Sequence, residues 1–183
     1  AINNTEEVIV DGCTFTNIGD YVVEYYPTTN NDQISNPTKN FQLLFTNNFV
    51  NNICSQVFDC NVSLALDSCD VTYENNKFIN LFKYDPYSRL TNNASSPKRL
   101  LFYLTGSLLT QKVNLNINHN SFETTEQSSF IGNGYTSGQT NINDNYIKLD
   151  NASDERTSLF SVWNETTLTN NTILASLTNI TRT

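Results

Sequence analysis

The stretch Val113–Phe122, reading VNLNINHNSF, constrains this chain more than any other feature, because its tail recurs. Ile117, Asn120 and Phe122 define a template of apolar, two residues, Asn, one residue, apolar. Copies stand at Leu44/Asn47/Phe49, Tyr73/Asn76/Phe78, Ile142/Asn145/Ile147 and Leu168/Asn171/Ile173. A sixth, Val10/Cys13/Phe15, has Cys where the others have Asn. The closing apolar residues are roughly 34, 29, 44, 25 and 26 residues apart, within the range of repeats that stack into solenoids.

Each copy is a short strand flanked by polar, turn-prone residues. No Asn-Gly or Gly-Gly turn joins neighbours, and their separation is too long for a tight hairpin. Apolar residues at i, i+3, i+4 and i+7 are not sustained anywhere, so helices are not expected. A second apolar run follows each copy: Tyr21–Tyr26, Gln56–Phe58, Leu100–Leu104, Ser129–Ile131, Ser158–Trp163 and Leu174–Leu177. One rung of a parallel β-helix would hold both strands, with the polar stretches as corners. Stacked rungs would place Asn47, Asn76, Asn120, Asn145 and Asn171 above one another. Their side-chain amides would then hydrogen-bond along the stack and satisfy polar groups at a bend. The expected class is all-β, a coil of about six irregular rungs.

The pattern resembles the right-handed parallel β-helix repeat of the pectin-lyase-like superfamily, whose rungs often read apolar-x-x-Asn-x-apolar. The Phe-x-Asn endings at Phe15–Asn17, Phe49–Asn51 and Phe78–Asn80 also look like the short repeats of bacterial polymorphic outer-membrane β-helices. The resemblance covers most of the chain and implies a right-handed solenoid. A β-sandwich is the competing architecture, but its strands recur every 8–12 residues or so, a shorter period than this one.

Length suits a single domain, 1–183, as a whole chain or as a segment of a longer one. With 38% hydrophobic residues it can bury a core. About 30 of the residues are Asn, an extreme share. The net charge of −8 argues against nucleic acid, which wants a basic face, and against anionic membranes. No run is long enough for a transmembrane helix, so no membrane insertion is expected. There is no Met, so Ala1 reads as the product of signal-peptide removal or as the start of a piece.

Asn-x-Ser/Thr sequons stand at Asn3, Asn61, Asn93, Asn151, Asn164, Asn170 and Asn179. With Cys13, Cys54, Cys60 and Cys69 they suggest a secreted glycoprotein, found outside the cell or on its surface. Four cysteines permit two disulfides in any of three connectivities, or buried thiols.

Along the chain, Ile2–Thr16 reads as the first rung strand. Segments at about 27–40 and 82–98 read as long loop insertions, where structured loops often carry function. No amphipathic helix caps either end, although a solenoid normally needs a cap.

Nothing in the chain assembles into catalytic machinery. β-Helix enzymes of the resembling kind cluster Asp residues, often with calcium and a basic residue. Here Glu6, Glu7, Asp67, Asp70, Asp144, Asp150, Asp154 and Glu155 are scattered. Glycoside hydrolysis needs two carboxylates across about 5–10 Å, and spacing alone does not put Asp67 and Asp70 there. The acidic run Asp150–Glu155 lacks the alternating order of a calcium loop and reads as a turn. His119, between two Asn residues in a strand, reads as an exposed structural side chain. No G-x-S-x-G elbow occurs. No catalytic, metal or cofactor-binding residue is therefore expected.

Two roles fit. The first is a structural solenoid that assembles end to end, with copies of itself or other solenoid subunits, into a filament, coat or surface appendage. The second is a carbohydrate-binding or polysaccharide-processing module related to pectate lyases. An exposed aromatic row drawn from Tyr25, Tyr26, Tyr84, Tyr87 and Tyr103 would favour the second.

Overall fold

A computed structural model describes residues 6–25, 40–53, 57–61, 68–81, 100–105, 112–124, 129–133, 138–150, 160–162 and 164–176. The insertions expected at about 27–40 and 82–98 lie almost wholly outside the described residues. Every described element is a strand. In chain order these are β1 (Glu7–Asp11), β2 (Thr14–Ile18), β3 (Val23–Tyr25), β4 (Asn40–Thr46), β5 (Phe49–Ile53), β6 (Phe58–Asn61), β7 (Ser68–Glu74), β8 (Lys77–Leu81) and β9 (Leu100–Thr105). The second half adds β10 (Lys112–Asn118), β11 (Ser121–Thr124), β12 (Ser129–Asn133), β13 (Gln139–Asn143), β14 (Tyr146–Asp150), β15 (Phe160–Val162), β16 (Glu165–Thr169) and β17 (Thr172–Ser176).

They form three parallel sheets, each taking every third strand. The first runs β1-β4-β7-β10-β13-β16, the second β2-β5-β8-β11-β14-β17, the third β3-β6-β9-β12-β15. Parallel strands need a long crossover, and here the strands of the other two sheets supply it. Successive tiers therefore stack one strand apart, an arrangement compatible with a parallel β-helix.

The expectation of two strands per rung needs correction. The Asn template is not one strand; it spans a corner between a first-sheet and a second-sheet strand. In all six tiers two residues turn that corner: Gly12-Cys13, Asn47-Asn48, Asn75-Asn76, His119-Asn120, Asp144-Asn145 and Asn170-Asn171. Ile2–Thr16 is accordingly divided between β1 and β2 over its described part. Of the second apolar runs, Leu100–Leu104 and Ser129–Ile131 lie wholly in third-sheet strands, Tyr21–Tyr26 and Ser158–Trp163 contain β3 and β15, and Gln56–Phe58 reaches β6 only at Phe58. Leu174–Leu177 instead begins inside β17 of the second sheet.

The core follows from a strict alternation. β7 and β10 bury every second residue, and register lines these up into columns. One column is Val10–Phe45–Tyr73–Ile117–Ile142–Leu168. Facing it from the second sheet is Phe15–Val50–Phe78–Phe122–Ile147–Ile173. Side chains in the middle tiers are fully buried, each worth about 1.5–3 kcal/mol. Phe78 and Phe122 stack with centroids 4.8 Å apart and planes 7° off parallel. At the last tier the columns meet solvent: Leu168 is 50% and Ile173 45% exposed.

Candidate functional site

Among the described residues, the corner between the first and second sheets carries the longest continuous series of side-chain hydrogen bonds. Its first residue has φ between 54° and 62° in every tier: Gly12, Asn47, Asn75, His119, Asp144 and Asn170. Gly, Asn, Asp and His are the residue types that tolerate this left-handed region best. Its second residue is the ladder residue. Asn48 N–H donates to Asn76 Oδ1 at 2.8 Å, Asn76 to Asn120 at 2.9 Å, Asn120 to Asn145 at 2.9 Å and Asn145 to Asn171 at 3.0 Å. Each Nδ2 also reaches the next Oδ1. The same Nδ2 donates back to the preceding tier: Asn48 to Val10 O, Asn76 to Phe45 O, Asn120 to Tyr73 O, Asn145 to Ile117 O and Asn171 to Ile142 O. Asn48, Asn76, Asn120 and Asn145 are buried, so leaving these groups unpaired would be costly.

The stack expected through Asn47 therefore passes through Asn48. Asn47 is exposed, and its Nδ2 donates to Asp11 Oδ1 at 2.8 Å. The run Leu44-Phe-Thr-Asn-Asn-Phe-Val50 satisfies the template in two registers, Leu44/Asn47/Phe49 and Phe45/Asn48/Val50, and a slip of one residue exchanges the inner and outer faces. The rule that the corner's first residue must tolerate positive φ selects the true register. The same slip affects Phe49–Asn51. The second positive-φ series is Asn17, Asn52 and Asn80, with Asn52 donating to Asn17 Oδ1 at 2.7 Å.

Outside the core, the first sheet presents polar columns. Asp70, Asn114, Gln139 and Glu165 align across β7, β10, β13 and β16, as do Thr72, Asn116, Asn141 and Thr167. Asn114 Nδ2 donates to Asp70 Oδ1 at 2.6 Å, and Asn141 Nδ2 to Asn116 Oδ1 at 2.9 Å. The first column, with Asn116, Asn141, Lys112 and Gly138, lines an open groove of about 490 Å³. Asp70 and Glu165 are three strands apart, so their backbones are separated by roughly 14 Å. Gly138, at φ 100°, lies so close to Val113 that a Cβ would meet its carbonyl oxygen at 2.1 Å. Asp11, at the first-tier edge, accepts from Thr46 Oγ1 at 2.6 Å as well as from Asn47. Those two bonds, Thr46's the stronger, hold its carboxyl below the ordinary value of 3.8.

The remaining expected residues are dispersed. His119 is at a corner and not within a strand; Nδ1 is 3.7 Å from Glu74 Oε1, and Nε2 3.7 Å from Asp144 Oδ2, all exposed. Among the described residues no group of three or more His, Cys, Asp or Glu is placed to hold a metal. Asp150 ends β14, while Asp67, Asp154 and Glu155 lie outside the described residues. Of the tyrosines, Tyr25 is in register with Cys60 and Leu104, whereas Tyr103 is in register with Asp59; Tyr26, Tyr84 and Tyr87 lie outside.

Cys13 and Cys69 are free thiols, against the expected pair of disulfides. Two tiers and about seven residues of strand separate them, since Cys69 is level with the start of β1 and Cys13 follows its end, far beyond the span of a disulfide. Cys60 is in β6, and Cys54 lies outside the described residues. Among the sequons, Asn170 is exposed at a corner, and Asn61 ends β6. Asn164 is half-buried: its Oδ1 accepts from Thr140 Oγ1 at 2.8 Å, and its Nδ2, where a glycan would attach, donates to Val113 O at 3.2 Å. Asn3, Asn93, Asn151 and Asn179 lie outside the described residues.

No family model, no curated protein and no solved structure matches the chain.

Proposed function

We propose that the chain is a right-handed parallel β-helix with a structural role. In this reading it is secreted and glycosylated, and it stacks end to end with further solenoid subunits into an extracellular filament, coat or surface appendage. The observation that carries it is the last tier, where Leu168 and Ile173 expose side chains that are buried one tier earlier. The strand order supports the solenoid, and the strong preference of parallel crossovers for one hand supports right-handedness. Negative-stain imaging of native material tests the role. Bodies longer than six tiers, beyond roughly 30 Å at ordinary strand spacing, are expected. Native material holding the chain only as single six-tier particles overturns it. Peptide N-glycosidase digestion read by mass spectrometry tests the glycans, with conversion of Asn170 to Asp expected.

The groove favours a second reading, carbohydrate binding, because amides from successive tiers converge there with one cation and two carboxylates. Titration with neutral and acidic oligosaccharides against an Asn116→Ala/Asn141→Ala variant tests it; binding that ignores both substitutions removes the groove from consideration.

A further inference from the structure

The asparagine ladder has a direction. Every ladder N–H points toward the following tier, and every ladder Nδ2 reaches back to an inner carbonyl of the preceding one. At the last tier this leaves the Asn171 N–H and the Leu168 carbonyl without a partner among the described residues. Both stand beside the exposed Leu168 and Ile173 side chains. A tier continuing the stack must bring one carboxamide to that corner, its Oδ1 accepting from Asn171 and its Nδ2 donating to Leu168. Its inner columns must also be apolar.

The first tier of the same chain meets only half of that specification. Val10 and Phe15 would continue the Leu168 and Ile173 columns, and both are partly buried against the core. The corner, however, offers Cys13, which has no carboxamide. Its N–H donates forward to Asn48 Oδ1 at 2.8 Å, as an asparagine's would. Its Sγ lies 3.3 Å from Asp11 O and donates to it. Elsewhere the equivalent carbonyl accepts the corner N–H of the preceding tier, as Thr46 O does from Gly12 and Glu74 O from Asn47. Asn120 Nδ2 makes the same bond to Asn118 O, which still accepts from Asn75 N–H, so Cys13 differs in lacking the acceptor and the donor that a carboxamide would offer the next tier.

Resting on the structural reading above, we infer that the C-terminal tier docks a tier of another solenoid subunit bearing asparagine at its corner, and that Cys13 denies this match to copies of the chain. The residue acts as a selector between partners. Stacking on other subunits completes the ladder, and stacking on copies leaves it broken once per junction.

The probe is the chain itself with Cys13→Asn, which gives its first tier the missing carboxamide. Cys13 is exposed, so the exchange leaves the core untouched. Restoring three hydrogen bonds of ordinary net strength corresponds to about 10- to 1,000-fold tighter head-to-tail association. Sedimentation velocity on wild type, Cys13→Asn and Cys13→Asp measures it. Aspartate accepts from Asn171 but cannot donate to Leu168, so its gain should be smaller. Adding Leu168→Arg to Cys13→Asn should abolish the gain, which locates the contact on the C-terminal tier. Wild type and Cys13→Asn associating equally, or neither associating, overturns the inference. Association of Cys13→Asn alone supports it and excludes self-stacking by wild type. Failure of the structural role would appear separately, as isolated particles in native material.

Discussion

Replacing Asn120 by Ala tests whether the ladder holds the tiers together or merely decorates the corner. Asn120 Oδ1 accepts from Asn76 N and from Asn76 Nδ2, both at 2.9 Å. Its Nδ2 donates to Tyr73 O and Asn118 O, both at 2.9 Å, and reaches Asn145 Oδ1 at 3.1 Å. Alanine removes all five contacts in a place where Asn76 is only 2% exposed. The buried Asn76 N–H loses its acceptor, at about 1–3 kcal/mol, and Asn76 Nδ2 and Tyr73 O, each with one partner fewer, add about 0.5–1.5 kcal/mol each, while Asn145 Oδ1 and Asn118 O keep the Asn120 and Asn75 N–H groups. A total of about 2–6 kcal/mol is a large part of a stability of about 5–15 kcal/mol. For a chain of this length it lowers Tm by about 10 °C at the middle of that range. Urea unfolding followed by far-UV circular dichroism measures the loss, with Asn47→Gly as the companion variant. Asn47 is exposed, has φ 57° and makes a surface bond, so glycine there should cost no more than about 1 kcal/mol. A loss below about 1 kcal/mol for Asn120→Ala, or equal losses for the two variants, would refute the reasoning.

Phe122→Ala should cost about 3–5 kcal/mol by opening a cavity against Phe78, read as a lower urea midpoint. A cost below about 1.5 kcal/mol would mean that the columns collapse freely. Gly138→Ala should cost on the order of 3 kcal/mol or more, because the backbone of Val113 occupies the space a Cβ needs; an unchanged Tm would contradict that approach. Asp11 has a depressed folded-state pKa, so its contribution is present above the unfolded value and is lost as pH falls through the folded one. As pH falls below the ordinary carboxylate range, wild type should lose more stability than Asp11→Asn, and parallel acid limbs would refute this.

The spacing of apolar-x-x-Asn-x-apolar made the stacking axis legible, because a polar residue at a constant offset inside apolar sequence needs a constant partner. It also placed Cys13 correctly as the odd member at the same corner. What it concealed was register. Two adjacent asparagines, Asn47 and Asn48, have identical side chains, and only backbone handedness tells the exposed one from the buried one. The groove was hidden for a related reason. Asp70, Asn114, Gln139 and Glu165 become neighbours only after tiers separated by unequal lengths are aligned. Asp67, which invites pairing with Asp70 in sequence, has no part in that column.

The corner that carries the ladder is always two residues long, while successive ladder positions are 35, 28, 44, 25 and 26 residues apart. All the variation in length is therefore confined to the path through the other side of each tier. Closing a longer loop is inexpensive, about 0.6 kcal/mol per doubling. The frame thus counts turns of the chain and is indifferent to how many residues each turn spends away from the corner. Segments can be lengthened, exchanged or grafted on that side with little penalty, so new surface chemistry can arise there while the spine stays in step.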